Sequence, residues 1–358
     1  VSKVATSAHI DHHAYIIIQQ YVRRKVALFA QRLKEKAFDD SVDINDLMSQ
    51  MNKGVMEVTD ITEQGRGTKT WAEFIEESID ELLNREEKAK SGKVNGIKTP
   101  LSDLTKLTSG WQDSDLIILA GRPGMGKTAF ALETIGKAVK DDKWPCLFSL
   151  EMSGRRLVDR VLIAESKVNA EKFASGYISV EEMEKIKEAA ERLKQRKVII
   201  DDRPALTFEQ IRSKAIKMKK ENKCDLVIID YIGLVDASKM KKGSREQEVA
   251  AVSANSKALA KELNIPVIVL SQLNRRVEER SDKRPRLSDL RESGGIEQDA
   301  DVVMFLYRAS EYGEGEPDEG EVIVAKHRNG KKGKIHFKHN ESMTRIYDYI
   351  NYDPQTPF

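Results

Sequence analysis

The sequence predicts an α/β protein with a mainly parallel central sheet, preceded by a small all-helical segment. Three observations predict it. From about residue 114, short unbroken runs of Val, Ile and Leu alternate with helical stretches, the pattern of strands buried on both faces. One run leads directly into a glycine-rich stretch and then a helix. The first part of the chain instead carries apolar residues at three- and four-residue steps.

Composition bounds what such a protein can be. A chain of 358 residues is about twice a typical domain, so roughly two domains are expected. It is long enough to bury a real core. With 40% hydrophobic and 33% charged residues it reads as a soluble protein. No apolar stretch approaches the ~20 residues that span a membrane, and no leader pattern appears, which points to the cytoplasm. Cys146 and Cys224 lie in separate apolar runs and read as buried thiols, which suits a reducing compartment. The net charge is only +2. Bulk charge therefore does not announce a nucleic acid, and any attraction has to come from local basic patches. The chain opens Val1-Ser2-Lys3, which reads as a truncation or processing point with sequence missing before it.

In the first segment Tyr15, Ile18, Val22, Phe29 and Leu33 share one helical face. A second helix is expected from about Asp43, with Ile44, Leu47, Met48, Met51 and Val55 turned inward. Asp39-Asp40-Ser41 would join the two as a hairpin, too small to stand alone. Gly65-Arg66-Gly67 reads as a linker. Thr70-Trp71-Ala72-Glu73 is a capping-box signature opening a helix. That helix would bury Trp71, Ile75, Ile79 and Leu82, against its own domain or equally against a neighbouring subunit, and end at Ser91-Gly92-Lys93. Strands are expected at Asp115–Ala120, Cys146–Leu150, Val198–Ile200, Leu226–Ile229, Pro266–Ser271, Val302–Tyr307 and Val322–Ala325. Helices include Glu181–Arg196 and Phe208–Glu221. Ile335-His336-Phe337 and Ile346-Tyr347 read as closing antiparallel strands. The implied division is a partial helical domain (1–60), a linker with its helix (61–98), the α/β domain (99–351) and a tail (352–358).

The chemistry starts at Gly121-Arg122-Pro123-Gly124-Met125-Gly126-Lys127-Thr128, a full G-x-x-x-x-G-K-[ST] phosphate-binding loop in strand–loop–helix context. Its glycines let backbone amides and the helix N-terminus meet phosphates. Lys127 would neutralise the β and γ oxygens of ATP, and Thr128 would bind Mg²⁺. Leu226-Val227-Ile228-Ile229-Asp230 looks like the partner strand, whose carboxylate holds the Mg²⁺ shell. Tyr231 follows it, not the glutamate that activates water in many such ATPases. Glu151, after Cys146–Leu150, is the best base, provided that strand lies beside the loop's strand.

Other features carry less. His9, His12 and His13 beside Asp11 close no metal-ligand set. Lys239, Lys241, Lys242 and Arg245 fit a solvated loop and a DNA-touching pore loop equally. The arginines between Arg275 and Arg286 are interleaved with acids, as on a solvated surface. Asp318–Glu321 reads as an acidic surface turn.

The loop, Phe148-Ser149-Leu150-Glu151-Met152, Val269-Leu270-Ser271-Gln272-Leu273-Asn274-Arg275 and Asp289-Leu290-Arg291-Glu292-Ser293-Gly294-Gly295-Ile296-Glu297-Gln298-Asp299-Ala300-Asp301 together resemble the DnaB-type replicative helicases, in order from about Gly96 to Arg345. The hairpin and linker helix also resemble that family's collar and linker, without the front half of the collar. The resemblance implies a RecA-like P-loop NTPase fold and a ring homohexamer that moves 5′→3′ on single-stranded DNA, with a primase and a helicase loader as partners. It implies that Gln272 senses the γ-phosphate and that Arg291, Glu292 and Gly294 hold the DNA backbone. A Ser-Gly-Gly turn with exposed amides fits sequence-blind phosphate contact. Lys326 and Arg328 match the family's trans-acting finger pair. A RecA-like recombinase and a nucleotide-gated ring without unwinding activity are the rival readings.

Overall fold

The computed structural model describes residues 7–39, 42–44, 46–47, 50–51, 54, 69–235 and 245–349. The chain forms two compact units, Val1–Asn84 and Arg85–Phe358.

The first unit opens with α1 (Ser7–Ala37). Val22, Phe29 and Leu33 of its expected stripe are half-buried. A side chain at Gly54 would collide with the Phe29 ring, and Lys36 Nζ donates to Gln50 Oε1 at 2.6 Å, so the chain doubles back along α1. Ile44, Leu47 and Met51 of the expected second helix are helical, with Leu47 and Met51 half-buried but Ile44 exposed rather than turned inward. Met48, Val55, the Gly65-Arg66-Gly67 linker and the side chains of Tyr15 and Ile18 lie outside the described residues.

The capping box forms at the start of α2 (Trp71–Lys90). Thr70 N donates to Glu73 Oε2 at 2.6 Å, and Glu73 N returns a bond to Thr70 Oγ1 at 3.3 Å. The helix ends at a turn where Gly92 has φ +68°. The expected burial of its stripe does not occur. Trp71 is 82% exposed, and Phe74, Ile75, Ile79, Leu82 and Leu83 are exposed with it. The 3.6-residue period marks this face as one that needs cover, but nothing among the described residues supplies it.

The second unit is built on nine strands: β1 (Leu116–Gly121), β2 (Pro145–Ser149), β3 (Ile199–Asp201), β4 (Leu226–Asp230), β5 (Val267–Gln272), β6 (Val302–Tyr307), β7 (Glu319–His327), β8 (Gly333–His339) and β9 (Ile346–Asp348). Their spatial order is β3-β2-β4-β5-β1-β6-β7-β8-β9. The first six are mutually parallel, and the last three run antiparallel, the sequence suggesting this for β8 and β9 but not for β7. The helices that bear on the site are α3 (Ser102–Thr108), α4 (Lys127–Lys140), α5 (Gly154–Ser166), α6 (Ala170–Ser175), α7 (Val180–Lys194), α8 (Phe208–Lys220), α9 (Arg245–Leu263) and α10 (Gly294–Asp299).

Alternate residues of the buried strands face opposite layers. Ile117, Leu119, Leu147, Ile228 and Leu270 join Phe130 of α4 and Leu104 of α3 on one side. Leu116, Ile118, Phe148, Val227 and Val269 join Phe208 of α8 and Leu259 of α9 on the other. Capping boxes at Ser179–Glu182 and Thr207–Gln210 fix the starts of α7 and α8. Cys146 and Cys224 are buried, free thiols. The Cys224 thiol beside it, then burial, push the Cys146 thiol well above its usual range.

Two sequence expectations change here. β2 does not lie beside β1, because β4 and β5 stand between them. The expected acidic turn at Asp318–Glu321 runs into β7. Glu321 there accepts two hydrogen bonds from the Arg284 guanidinium, at 2.7 and 3.1 Å.

Candidate nucleotide-binding site

The parallel strands place their carboxyl ends along one edge, where ligands bind in open α/β sheets. β1 delivers Gly121 there, and α4 starts at Lys127. The loop between them turns through Gly124 (φ +82°) and Gly126 (φ +93°), conformations that favour glycine. Gly126 caps α4 without any side chain on the first amides, so those amides and the positive end of the helix dipole face outward. A side chain at Gly126 would also strike Met343, which lies over the loop from the β8–β9 connection.

The loop's remaining residues divide the work. Met125 is buried in the core and Pro123 is exposed. The Arg122 side chain turns away from a phosphate position, donating to Glu278 Oε1 (2.7 Å) and the Leu273 carbonyl (2.8 Å). These three can serve a nucleotide through their backbone. Lys127 Nζ donates to the carbonyls of Gly121 (2.9 Å) and Arg122 (3.1 Å). Burial lowers its pKa, while Asp230 and Glu151 pull the other way.

Asp230 closes β4 against the loop, accepting from Thr128 Oγ1 at 3.2 Å. Burial, then the Glu151 charge, pushes its carboxyl up to about 6. Glu151 thus reaches the same pocket by a route other than the one its sequence position suggests. β2 pairs with β4, Ser149 is in register with Asp230, and Leu150 N donates to Asp230 O at 2.7 Å. Gln272 ends β5 in register with Gly121.

Other predicted residues lie elsewhere. Lys326 and Arg328 sit at the amino end of the sheet, because β7 runs against β6 and pairs His327 with Val302. Val302 is level with Ile117, so four strand steps, roughly 13 Å along β1, separate that level from Gly121 at the start of the P-loop. Arg291 and Glu292 lie in a 3₁₀ helix (Leu287–Ser293) that passes directly into α10 at Gly294. The expected open turn at Ser293-Gly294-Gly295 is therefore helical. The reason is packing: a Cβ on Gly295 would lie 2.8 Å from that of Ala250, so the glycine lets α10 close on α9.

Sequence reasoning missed two residues. Arg308, just past β6, donates to the Gly124 carbonyl at 3.1 Å and pairs with Glu311 at 2.6 Å. Its place after a strand of the parallel set is the signal that could have found it. Met343 follows a loop with no motif, and nothing in the sequence points to it.

A phosphate loop, a buried strand-end aspartate and a second carboxylate thus share one sheet edge, and family models discriminate among the proteins built this way. The model for the DnaB-like helicase C terminal domain matches residues 96–348. The chain belongs to the DnaB-like helicase family. Replicative DNA helicase DnaB of Geobacillus stearothermophilus is 39% identical over 337 residues, 93% of this chain and 73% of that protein. Replicative DNA helicase DnaC of Bacillus subtilis is 38% identical over 343 residues, 93% and 74% of the two chains. A solved DnaB-like replicative helicase, described with its interactions with primase, aligns with a TM-score of 0.70 at 30% identity, over 96% of this chain and 81% of that one. A solved ATPase domain aligns at 0.72 with 34% identity, over 76% of this chain and 98% of that one. The family fixes the fold as RecA-like and the site as a nucleotide site. In the described residues no helix is long and apolar enough to cross a membrane.

Proposed function

We propose that the chain is a replicative DNA helicase, in which ATP hydrolysis drives 5′→3′ translocation on single-stranded DNA and separates the duplex at the fork. The observation that carries this is the meeting of Lys127, Thr128, Asp230, Glu151 and Gln272 at one sheet edge in a member of this family.

Each residue has a role that its position supports. The amides of Gly121–Thr128 cradle the phosphates, and Lys127 leaves its backbone carbonyls to neutralise the β and γ oxygens. Thr128 and Asp230 offer two hard oxygens 3.2 Å apart, in a pocket whose carboxylates repel each other. That pocket fits a divalent cation. Among the described residues no three His, Cys, Asp or Glu side chains converge, so the cation shares its shell with phosphate and water, as Mg²⁺ prefers. When bound, Mg²⁺ neutralises charge on the phosphates. Glu151 takes the proton of the attacking water, and Gln272 reports on the γ-phosphate. Lys326 and Arg328, too far from their own loop, act on a neighbouring copy's nucleotide. Arg291, Glu292 and Gly294 hold the DNA backbone.

This reading requires a homo-oligomer, a hexameric ring. Two surfaces support one: the exposed stripe of α2, and an apolar groove of about 390 Å³ between α4, α5 and α7, lined by Leu132, Ile135, Leu157, Val161 and Leu193. In this reading the α2 stripe docks in that groove on a second copy. The working division is a collar (1–60), a linker (61–98), the ATPase domain (99–351) and a tail (352–358). A primase and a helicase loader are its partners, and the cytoplasmic nucleoid is its place.

The deciding experiment is a forked duplex carrying a free 5′ single strand. The parent with ATP and Mg²⁺ separates the strands, and Lys127→Ala does not. A parent that hydrolyses ATP yet never separates them is a nucleotide-gated ring, and the proposal falls.

A further inference from the structure

At the amino end of the sheet a buried carboxylate stands at the centre of a small, fully connected network. Asp301 is 3% exposed and directly precedes β6. Its Oδ2 accepts from Leu116 N at 2.8 Å and from Lys257 Nζ at 2.5 Å. Lys257 is itself held by the Ser114 carbonyl at 2.8 Å. The other oxygen, Oδ1, accepts from Arg328 Nη1 at 3.1 Å. The backbones are tied too, because Arg328 N donates to Asp301 O at 2.8 Å and Asp301 N to Leu116 O at 2.9 Å. Beside it, Lys326 Nζ donates to the Glu297 carbonyl at 2.6 Å, at the end of α10. Arg328 Nη2 makes a longer bond to the Gln298 carbonyl at 3.5 Å, and the side chain remains 52% exposed, so the tethered guanidinium still faces solvent.

We propose that Asp301 is the positioning residue for Arg328, fixing the guanidinium so that it reaches a neighbouring copy's nucleotide already oriented. The proposal rests on the reading of Arg328 as a finger acting in trans. An arginine side chain loses substantial rotamer entropy when it is fixed. A charge-assisted bond to a buried, immobile carboxylate lets much of that ordering happen before the nucleotide arrives. Asp301 suits the task because its other oxygen is committed to β1 and Lys257, which leaves it one direction in which to hold a cation. Positioning of this kind matters at the ångström scale, where misplacement costs about 10²-fold in rate.

The experiment uses steady-state hydrolysis by assembled full-length protein with single-stranded DNA. Asp301→Asn keeps the size but removes the charge. It lowers kcat by roughly 10- to 100-fold and leaves KM for ATP unchanged. Asp301→Glu keeps the charge for Lys257 but displaces the guanidinium, and gives a smaller loss of the same kind. Mixing either variant with Lys127→Ala subunits locates the defect. The Lys127→Ala copy carries a sound Arg328, so hydrolysis returns at junctions where it faces the intact loop of an Asp301 variant. Mixing with Arg328→Ala gives no such return. If co-purified mixed assemblies with Lys127→Ala stay inactive, or if Asp301→Asn turns over at the parent rate while Arg328→Ala is dead, Asp301 is only a structural residue and the proposal fails. A full-rate Arg328→Ala homomer instead overturns the finger reading beneath it. Should Asp301→Asn not assemble, Asp301→Glu carries the same test.

Discussion

The two ends of β1 handle charge in opposite ways. At the carboxyl end, Asp230 and Glu151 crowd one pocket, Lys127 is turned onto backbone carbonyls, and Asp230 is held up to about 6. At the amino end, both oxygens of Asp301 are taken, by Lys257, a backbone amide and Arg328. One end is left electrostatically unfinished, whereas at the other Asp301 is fully paired, although burial and then the Asp301 charge push the neighbouring Asp115 carboxyl up to about 6. The contrast teaches what each end is for: a place that must receive a cation and phosphates keeps charges unpaired, while a place that must present a group secures it beforehand.

The largest effect that would test this contrast is at the completed end. Arg328→Ala should cut hydrolysis by about 10³–10⁵ while nucleotide still binds, as titration with a fluorescent analogue would show. Parent-level turnover would leave the amino end without a catalytic meaning. At the unfinished end, Glu151→Gln should lose about 10²–10⁴ in rate with binding retained. Hydrolysis near the parent rate would remove Glu151 as the base.

A smaller effect appears in stability. An unfolded aspartate releases its proton near 3.8, whereas Asp230 holds its proton until about 6, so folding takes up a proton between those values. The nucleotide-free protein therefore loses stability as pH rises from about 4 through 6, by on the order of 3 kcal/mol from this group. Asp230→Asn should be the more stable protein at pH 7.5 in urea melts without Mg²⁺, with the gap closing toward pH 4. Parallel curves across that range would show that the pocket is not crowded.

The smallest effect concerns DNA. Arg291→Ala should weaken single-strand binding equally for different base compositions and flatten the log–log salt dependence by about 0.7. An unchanged slope would take Arg291 out of the phosphate contacts.

Much of this was legible in the residues, because local chemistry decides it. Unbroken apolar runs end where the strands end to within a few residues, and Gly124 and Gly126 of the P-loop appear where the backbone takes positive φ. What was not legible depends on which surfaces meet. Apolar runs of equal length do not reveal their neighbours, so the sequence leaves open whether β2 lies beside β1, and Glu151 reaches the pocket through β4. Gly295 has the composition of a turn, and only the nearness of Ala250 makes it part of a helix contact. The period of α2 announces an apolar stripe, but period alone does not say that the described residues leave it uncovered.

The placing of Arg328 at the opposite end of β1 from its own P-loop has an arithmetic consequence. If the finger acts in trans, what counts is the junction, and junctions follow a different census from chains. A closed array of n copies owns n of them, and the same copies opened at one place own n−1. An inactive copy lacking both Lys127 and Arg328 spoils the two junctions it shares. Mixed at random in equal amount with sound copies, it leaves only about a quarter of junctions intact, so activity falls with the square of the sound fraction.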